Sequence, residues 1–328
     1  MRVLISAHMS GGIGGAQRGL TSWLNALAEH EVTLFTRRSV DSGFVVEFPH
    51  VERVVSWRFF GRGGRIGRRL WPPLRRVTMP NQRFDLYIHF FAGEYLGDCC
   101  RATLKILQPS GNPTGEIEHL FDYVISQSPD GLRLVSDPAK HRVVPPPTYW
   151  MADKAHPVED LPEDFLLTVF NPYSADLKGD DILYDVMERS SRPLVWCHSS
   201  VSNGSTSNLV DLPNLIHMEN VTQAQLRFLY QRCSAYVSFS RSEGYGWAVA
   251  DAILSQKPVI SRRVGVVSFF GETPGLMDYD SAEELVEHMN TSEFPEATYE
   301  TDVFSAQAAV AALESLVLDE AQVRPRRG

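Results

Sequence analysis

The pattern of apolar and polar residues is clearest between residues 235 and 261. It opens with an apolar run at 235–239, which has the length and composition of a buried strand. A polar loop with two glycines follows, and apolar residues then recur at helical spacing, at Val249, Ala252 and Ile253. A second short strand is predicted at 258–261. The order strand, loop, helix, strand predicts a βαβ unit in a parallel sheet.

The beginning of the chain repeats this organisation. Strands are predicted at 3–5 and 31–36, with a glycine-rich segment at 9–17 after the first of them. Between the two strands, an amphipathic helix is indicated by Leu20, Trp23, Leu24 and Leu27. Further strands are predicted at 84–90, 103–107, 123–126, 142–144, 165–170 and 194–197. The sequence therefore predicts an α/β protein with two Rossmann-like domains.

A group of prolines marks the predicted boundary between the two domains. Pro145, Pro146 and Pro147 are followed by Pro157 and Pro162, and proline interrupts regular elements. A chain of 328 residues is long for one hydrophobic core and suits two domains. We place the first domain at residues 1–155, the second at 156–305, and a last helix with a short tail at 306–328.

Composition narrows the class of protein. The net charge of −9 disfavours a general nucleic-acid binder. No run of eighteen apolar residues exists, so we expect no membrane span, and the first residues lead into a strand rather than a signal peptide. The four cysteines lack the spacing of a metal site. We therefore expect reduced thiols and a cytoplasmic location.

The loop inside the βαβ unit at 235–261 carries the candidate chemistry. Ligands of parallel sheets bind at the carboxyl ends of the strands. Gly244 and Gly246 allow the backbone to approach a ligand, and a helix that begins near Trp247 directs free N–H groups toward anionic groups. Glu243 and Asp251 can accept hydrogen bonds from sugar or ribose hydroxyls. Alternatively, each acid only caps the helix and complements its dipole.

The whole string RSEGYGWAVADAILSQKPVIS, residues 241–261, resembles the signature of family 4 of the retaining glycosyltransferases, which have the GT-B fold. The family pattern is a Glu, seven residues and a second Glu, followed by Gly-Lys-Pro. Glu243 matches the first acid, and Asp251 stands in place of the second. Gln256 replaces the glycine before Lys257. The resemblance implies two Rossmann-like domains whose parallel sheets face a central cleft, and a terminal helix that crosses back to the first domain.

The resemblance also implies roles for residues of the second domain. Glu243 would hold the donor sugar together with the loop residues Gly244, Tyr245, Gly246 and Trp247. Asp251 would hold the ribose of the donor. Lys178, followed by Gly179, matches a lysine that binds the donor phosphates in the family. The arginine that accompanies this lysine in the family is absent, because residues 171–173 are Asn, Pro and Tyr.

The glycine-rich segment of the first domain has two interpretations. Gly14, Gly15, Ala16 and Gln17 resemble the Gly-Gly-Ala-Glu loop of the family, which contacts the donor diphosphate or the acceptor. The other interpretation is a dinucleotide site, in which Arg37 or Arg38 would serve a 2′-phosphate. Gln17 occupies the position of the third glycine of such a site, so the glycosyltransferase interpretation fits better.

A histidine and a basic stretch complete the candidates in the first domain. His89 ends the strand predicted at 84–90, where the family carries a histidine that reaches the donor sugar. Residues 57–76 contain seven arginines and no acidic residue, among them Arg62, Arg65, Arg68 and Arg69. This stretch is either a solvated loop, because Gly and Pro are frequent, or a surface for anionic lipid head groups or an anionic acceptor at the inner leaflet.

Together these features predict a retaining glycosyltransferase that uses a UDP- or GDP-sugar. The resemblance implies transfer on one face of the sugar, with the leaving phosphate taking the acceptor proton, so we expect no metal or other cofactor. The expected acceptor is a glycan or a lipid-linked molecule. Two alternatives stay open. The missing arginine is compatible with a non-catalytic nucleotide-sugar-binding protein, and the glycine loop with an NADP-binding oxidoreductase.

Overall fold

The structure is a computed structural model that describes residues 1–7, 15–36, 48, 51–56, 82–90, 95–97, 100–109, 114–150, 152–172, 175–199 and 212–323. The described residues form two compact units. The first unit takes them from Met1–Gln127, Gly131–Thr148 and Asp302–Gly328. The second unit takes them from Ser128–Asp130 and Tyr149–Thr301. The second unit thus includes a three-residue segment that precedes its main part in the sequence.

The first unit is built on a parallel sheet. Its strands are Arg2–Ala7 (β1), Glu31–Thr36 (β2), Val51–Ser56 (β3), Arg83–Phe90 (β4), Arg101–Gln108 (β5), Tyr123–Ser126 (β6) and His141–Val143 (β7). They lie in the order β3-β2-β1-β4-β5-β6-β7, and each neighbouring pair is parallel. The chain reverses direction across the sheet between β3 and β4, next to the central strand β1.

The second unit contains a second parallel sheet. Its strands are Leu166–Val169 (β8), Leu194–His198 (β9), Leu215–Glu219 (β10), Ala235–Val237 (β11), Val259–Ser261 (β12) and Leu276–Asp278 (β13). They lie in the order β10-β9-β8-β11-β12-β13, again with parallel pairs only among the described strands. The order reverses between β10 and β11, so the carboxyl ends of β8 and β11 flank the switch point, where ligands bind in such sheets.

The helices connect the strands. They are Gly15–Ala26 (α1), Ala175–Lys178 (α2), Asp180–Arg189 (α3), Gln223–Arg232 (α4), Trp247–Leu254 (α5), Ala282–Met289 (α6) and Ala306–Val323 (α7). Two of them begin with capping boxes. Thr222 and Gln225 exchange hydrogen bonds at the start of α4, and Ser281 and Glu284 do so at the start of α6. No described helix is both long enough and apolar enough to cross a membrane.

Each unit has its own apolar core. In the first unit, Trp23 and Leu24 of α1 pack with the apolar residues of the strands, and Ala309 and Leu313 of α7 join the same cluster. In the second unit, Trp196 and Phe239 are buried in a cluster that includes residues of α3 and α6. Continuous apolar strands are expected when both faces of a parallel sheet are covered, and this burial explains why the strands were visible in the sequence.

The structure confirms the predicted α/β class with two parallel sheets and the βαβ unit at 235–261. Predicted strand limits differ by one or two residues at individual ends, as is common at the ends of regular elements. Three strands were not predicted, namely β3, β10 and β13. All three are edge strands, and a strand with one neighbour is only partly covered, so it needs no continuous apolar run.

Candidate functional site

The loop after β11 is shaped by a left-handed glycine. Helix α5 begins at Trp247, as predicted, and Gly246 precedes it with a φ of 86°. Side chains with a Cβ rarely adopt this conformation, whereas glycine adopts it readily. The chain therefore turns sharply at Gly246 and presents the first N–H groups of α5 at the carboxyl end of the sheet. These groups lack partners within the helix and suit an anionic ligand.

A second glycine braces this loop from another segment. Gly265 has a φ of 59°, and a Cβ at this position would lie 2.5 Å from the Tyr245 carbonyl oxygen and 2.8 Å from the Glu243 Cβ. The next residue, Val266, donates its N–H to the same Tyr245 carbonyl at 2.6 Å. The conformation of the Glu243 loop thus depends on a residue 22 positions later. The sequence analysis missed Gly265, although the short Val-Gly-Val string after β12 was a signal for a turn.

The structure brings together two predicted residues that are far apart in sequence. The Lys178 Nζ donates to the Glu243 Oε1 at 2.5 Å. Both side chains are partly accessible, with 32% of Lys178 and 15% of Glu243 exposed. Lys178 ends α2, and the left-handed Gly179 follows it with a φ of 75°. A cation and a carboxylate therefore meet at the carboxyl ends of β8 and β11.

Asp251 lies on α5 and is buried, with 4% of the residue exposed. Its carboxylate has an electrostatic effect on the same buried tyrosine as the carboxylate of Glu243. Burial is the largest factor that raises the pKa of the Tyr236 hydroxyl. The Glu243 carboxylate raises this pKa further, and the Asp251 carboxylate acts in the same direction. The charges of the two predicted acids therefore both reach the buried Tyr236 hydroxyl.

Aromatic packing and a hydrogen bond fix the remaining loop residues. Tyr245 is buried, and its ring meets the Trp247 ring edge to face, with centroids 4.8 Å apart. The Gly244 carbonyl accepts a hydrogen bond from the Ser128 Oγ at 3.1 Å. Ser128 belongs to the segment Ser128–Asp130 of the second unit, and the sequence analysis did not identify it. Residues 244–247, which the resemblance assigns to the donor sugar, thus form one loop that leads into α5.

Residues 171–173 stand where the family carries an arginine, and the described residue Asn171 makes structural hydrogen bonds there. The Asn171 Oδ1 accepts hydrogen bonds from the backbone N–H and the hydroxyl of Ser199, both at 2.7 Å. Asn171 therefore ties the turn after β8 to the turn after β9. Tyr173 lies outside the described residues. The uncharged segment is a structural link between two strand ends.

Three arginines lie near the carboxyl ends of β11 and β12. Arg241 forms a fork with both oxygens of Asp181, at 2.9 and 2.7 Å. Arg263 forms a similar pair with Asp278. The Arg262 guanidinium lies over the Tyr279 ring, 4.9 Å from its centroid. Two of these three cations are therefore neutralised by carboxylates.

In the first unit, His89 lies at the carboxyl end of β4, as predicted, and is 4% exposed. Its Nδ1 is 3.3 Å from the Tyr87 hydroxyl oxygen. The rings of Phe121 and Tyr95 surround the imidazole, with centroids 5.5 and 6.5 Å away. His89 is therefore packed in an aromatic cluster.

The other predicted residues of the first domain are only partly described. Gly15 is the exposed first residue of α1. The remaining candidates lie outside the described residues, namely Gly14, Arg37, Arg38, Arg62, Arg65, Arg68 and Arg69. Their predicted roles at the diphosphate, at a 2′-phosphate or at an anionic surface stay predictions.

Comparisons with known proteins identify the fold. No protein-family model matches the chain, and no curated protein sequence matches it. The structure is similar to HepE from Anabaena in complex with UDP and glucose, with a TM-score of 0.62 and 14% identity over 100% of this chain and 99% of that chain. The apo form of WaaB, a lipopolysaccharide outer core galactosyltransferase, gives a TM-score of 0.62 and 15% identity over 98% of both chains.

A third similar structure has another activity. The UDP-GlcNAc 2-epimerase from Methanocaldococcus jannaschii gives a TM-score of 0.54 and 12% identity over 96% of this chain and 100% of that chain. Identities this low establish the fold alone, which is GT-B. Because one fold supports several chemistries, function has to be argued from the site.

Proposed function

We propose that the chain is a retaining glycosyltransferase whose second unit binds a nucleotide-diphosphate sugar. The pairing of Lys178 with Glu243 at 2.5 Å, beside the start of α5, carries this proposal. An ammonium group and the N–H groups of the first turn of a helix suit a diphosphate, and a carboxylate suits sugar hydroxyls. The similarity to HepE, which was solved with UDP and glucose, supports a nucleotide sugar as the ligand.

The two members of the ion pair would exchange partners when the donor binds. The Lys178 ammonium would turn to the diphosphate and stabilise the negative charge that develops as the sugar leaves. The Glu243 carboxylate would then accept hydrogen bonds from the sugar hydroxyls. Both side chains are partly exposed, so this exchange does not strand a charge in the core.

The remaining roles follow the family resemblance. Gly244, Tyr245, Gly246 and Trp247 would line the sugar site, and Asp251 would hold the ribose through its carboxylate. Retention would follow from attack on the same face from which the phosphate leaves. The leaving phosphate oxygen would take the proton of the acceptor hydroxyl.

The proposal extends to the first unit, where the roles follow from the family resemblance. His89 would contact the donor sugar, and Gly14 and Gly15 the diphosphate. The acceptor would be a glycan or a lipid-linked molecule, and the basic stretch at 57–76 would hold the protein at an anionic membrane surface. Co-sedimentation with anionic vesicles but not neutral ones, lost at high salt, would support this last part; equal binding to both would contradict it.

The products of the reaction distinguish glycosyl transfer from other activities. The similar structures do not favour an oxidoreductase or a non-catalytic protein. The epimerase shares the fold, so the assay has to detect conversion of the sugar as well as its transfer. Binding of a nucleotide sugar without any turnover would indicate the non-catalytic alternative.

The test is an assay with a panel of UDP- and GDP-sugars and a panel of glycan acceptors. We expect release of the nucleoside diphosphate and a product whose anomeric configuration, determined by NMR, equals that of the donor. Slow hydrolysis of the donor by water gives a readout that needs no acceptor. An inverted product would contradict retention, and an epimerised sugar would contradict transfer.

A further inference from the structure

Residues 239–241, which follow β11, contact the turn that carries Lys178 at three places. The Arg241 N–H donates to the Leu177 carbonyl at 2.8 Å. Gly179 lies so close to the Phe239 carbonyl oxygen that a Cβ would come within 2.3 Å of it. The Arg241 guanidinium donates to both carboxylate oxygens of Asp181. The residue before Lys178 and the residues one and three positions after it are thus all held by 239–241.

The fork between Arg241 and Asp181 fixes geometry more than it adds stability. A planar guanidinium that donates to both oxygens of a carboxylate sets orientation as well as distance. The side chains are 37% and 58% exposed, and a pair this exposed contributes little to the free energy of unfolding. The hydrogen bond from Arg241 lowers the pKa of the Asp181 carboxyl, so the carboxylate is charged at neutral pH.

We propose that Arg241 is a positioning residue that holds the turn at 177–181 so that the Lys178 ammonium faces Glu243. This inference rests on the proposed function, because it says that Arg241 positions a residue of the donor site. Arg241 acts through Lys178 rather than by touching the donor. Both of its terminal nitrogens donate to Asp181, so the edge of the guanidinium that could bind a phosphate through these two nitrogens together is occupied by that carboxylate.

The position of Lys178 is sensitive to such a clamp. Its side chain belongs to α2, which spans Ala175–Lys178, a single turn that has little helical stability of its own. The contacts from 239–241 supply the restraint that a longer helix would provide. A displacement of about 1 Å at a reacting group costs up to roughly a hundredfold in rate, so the clamp matters for the reaction even if it matters little for folding.

The test compares Arg241→Gln and Asp181→Asn with a matched pair of controls. Arg263 and Asp278 form a fork of the same kind in the same unit, so Arg263→Gln and Asp278→Asn remove an equivalent pair. We expect both clamp variants to lower donor turnover by a similar factor, roughly tenfold or more, and the double variant to lower it no further. We expect the controls to keep wild-type turnover and all variants to melt within a few degrees of the wild type.

A loss in Arg241→Gln alone, with normal turnover in Asp181→Asn, would show that Arg241 binds the donor directly and would overturn the proposal. Normal turnover in both variants would overturn it as well. The exchanged pair, with Arg241→Asp and Asp181→Arg in one chain, should recover part of the turnover if the clamp is what matters.

A second measurement does not depend on catalysis. The lysines are labelled by reductive ¹³C-methylation, and the Lys178 signal is assigned by its loss in Lys178→Arg. We expect Arg241→Gln to move this signal while Arg263→Gln leaves it in place. An unchanged Lys178 signal would overturn the proposal. A moved signal in a protein that binds no nucleotide sugar would leave the clamp standing and refute the proposed function.

Discussion

Among the residues that the structure describes, the carboxyl ends of the two sheets differ in the charge of their side chains. In the first unit, the described strands carry buried neutral residues at or next to these ends, namely Ser6, Thr36, Gln108 and Ser126. In the second unit, charged residues follow β8 and β11, namely Lys178, Arg241 and Glu243. Among the described residues, the charged chemistry that a diphosphate requires is therefore concentrated in the second unit.

The comparison teaches that likeness of fold does not imply likeness of role. Both sheets are parallel and both have a switch point, where ligands of such sheets bind. One unit has the partly exposed pair of Lys178 and Glu243 there, which a ligand can open. The other has His89 packed among aromatic rings. The variants below test whether this difference is also a difference in function.

Glu243→Gln should have the largest effect on the reaction. Losing a charged hydrogen-bond acceptor costs about 1.5–3 kcal/mol, which is roughly a tenfold to hundredfold loss of donor turnover. The variant removes the charge but keeps the shape, so we expect the melting temperature to stay within a few degrees. Glu300, which is exposed in the same unit, provides the control variant Glu300→Gln. If Glu243→Gln turns over the donor as fast as Glu300→Gln does, Glu243 has no role in the mechanism.

Glu118→Gln should have its effect on the stability of the first unit. The Glu118 carboxylate is buried and accepts hydrogen bonds from the N–H groups of Ser136 and Asp137 and from the Thr114 hydroxyl. Burial acts to raise its pKa, but these hydrogen bonds outweigh burial and lower the pKa below the ordinary value of 4.5. We expect Glu118→Gln to lower the free energy of unfolding at pH 7 by about 1–3 kcal/mol.

The same group predicts a pH dependence with a definite sign. Because the folded pKa lies below the unfolded one, the carboxylate stabilises the fold above pH 4.5, and this contribution is lost as the pH falls through the folded pKa. The free energy of unfolding, measured with urea at a series of pH values, should therefore fall less between pH 7 and pH 3 for Glu118→Gln than for the wild type. Equal losses in both proteins would contradict the assignment.

His89→Phe should have a smaller effect and tests the first unit directly. Phenylalanine fills a similar volume in the cluster with Tyr95 and Phe121, so we expect little change in melting temperature. If His89 contacts the sugar, the loss of one hydrogen bond of about 1 kcal/mol lowers donor turnover roughly fivefold. Unchanged turnover would make His89 a packing residue and would sharpen the contrast between the two units.

Gln256→Gly should have the smallest effect. Gln256 replaces the family glycine and has a φ of 51°, which glycine tolerates better. Its amide compensates by exchanging two hydrogen bonds with the backbone of Tyr299. Glycine would relieve strain and lose both hydrogen bonds, so we expect a net destabilisation within about 1 kcal/mol and unchanged donor turnover. A loss larger than several degrees in melting temperature would contradict this near balance and show that the strain at Gln256 offsets little of the two hydrogen bonds.

The fold could be predicted from the sequence where strands are covered on both faces. Such strands, β1 and β8 among them, are continuous apolar runs that stand out in the sequence. The edge strands β3, β10 and β13 did not stand out, because their polar residues can face solvent. Their position in the sheet is set by neighbours distant in sequence.

The site was predictable only in part, for a similar reason. Lys178 and Glu243 were found through the family resemblance, yet their contact depends on the tertiary fold. Gly265, Ser128 and Arg241 shape the site from other segments. The Val-Gly-Val string around Gly265 indicates a turn, but no local pattern shows that the carbonyl oxygen of Tyr245, 20 positions earlier in the sequence, requires a glycine there.

The most direct test of the account is the affinity of the second unit's site for a nucleoside diphosphate. Isothermal titration with UDP and GDP compares the wild type with Lys178→Ala and with the control Lys154→Ala, which removes an exposed lysine of the same unit. We predict that the wild type and Lys154→Ala bind one of the two nucleotides equally well and that Lys178→Ala binds it about tenfold more weakly or worse. Equal affinity in all three proteins, or binding of neither nucleotide by the wild type, would contradict the account.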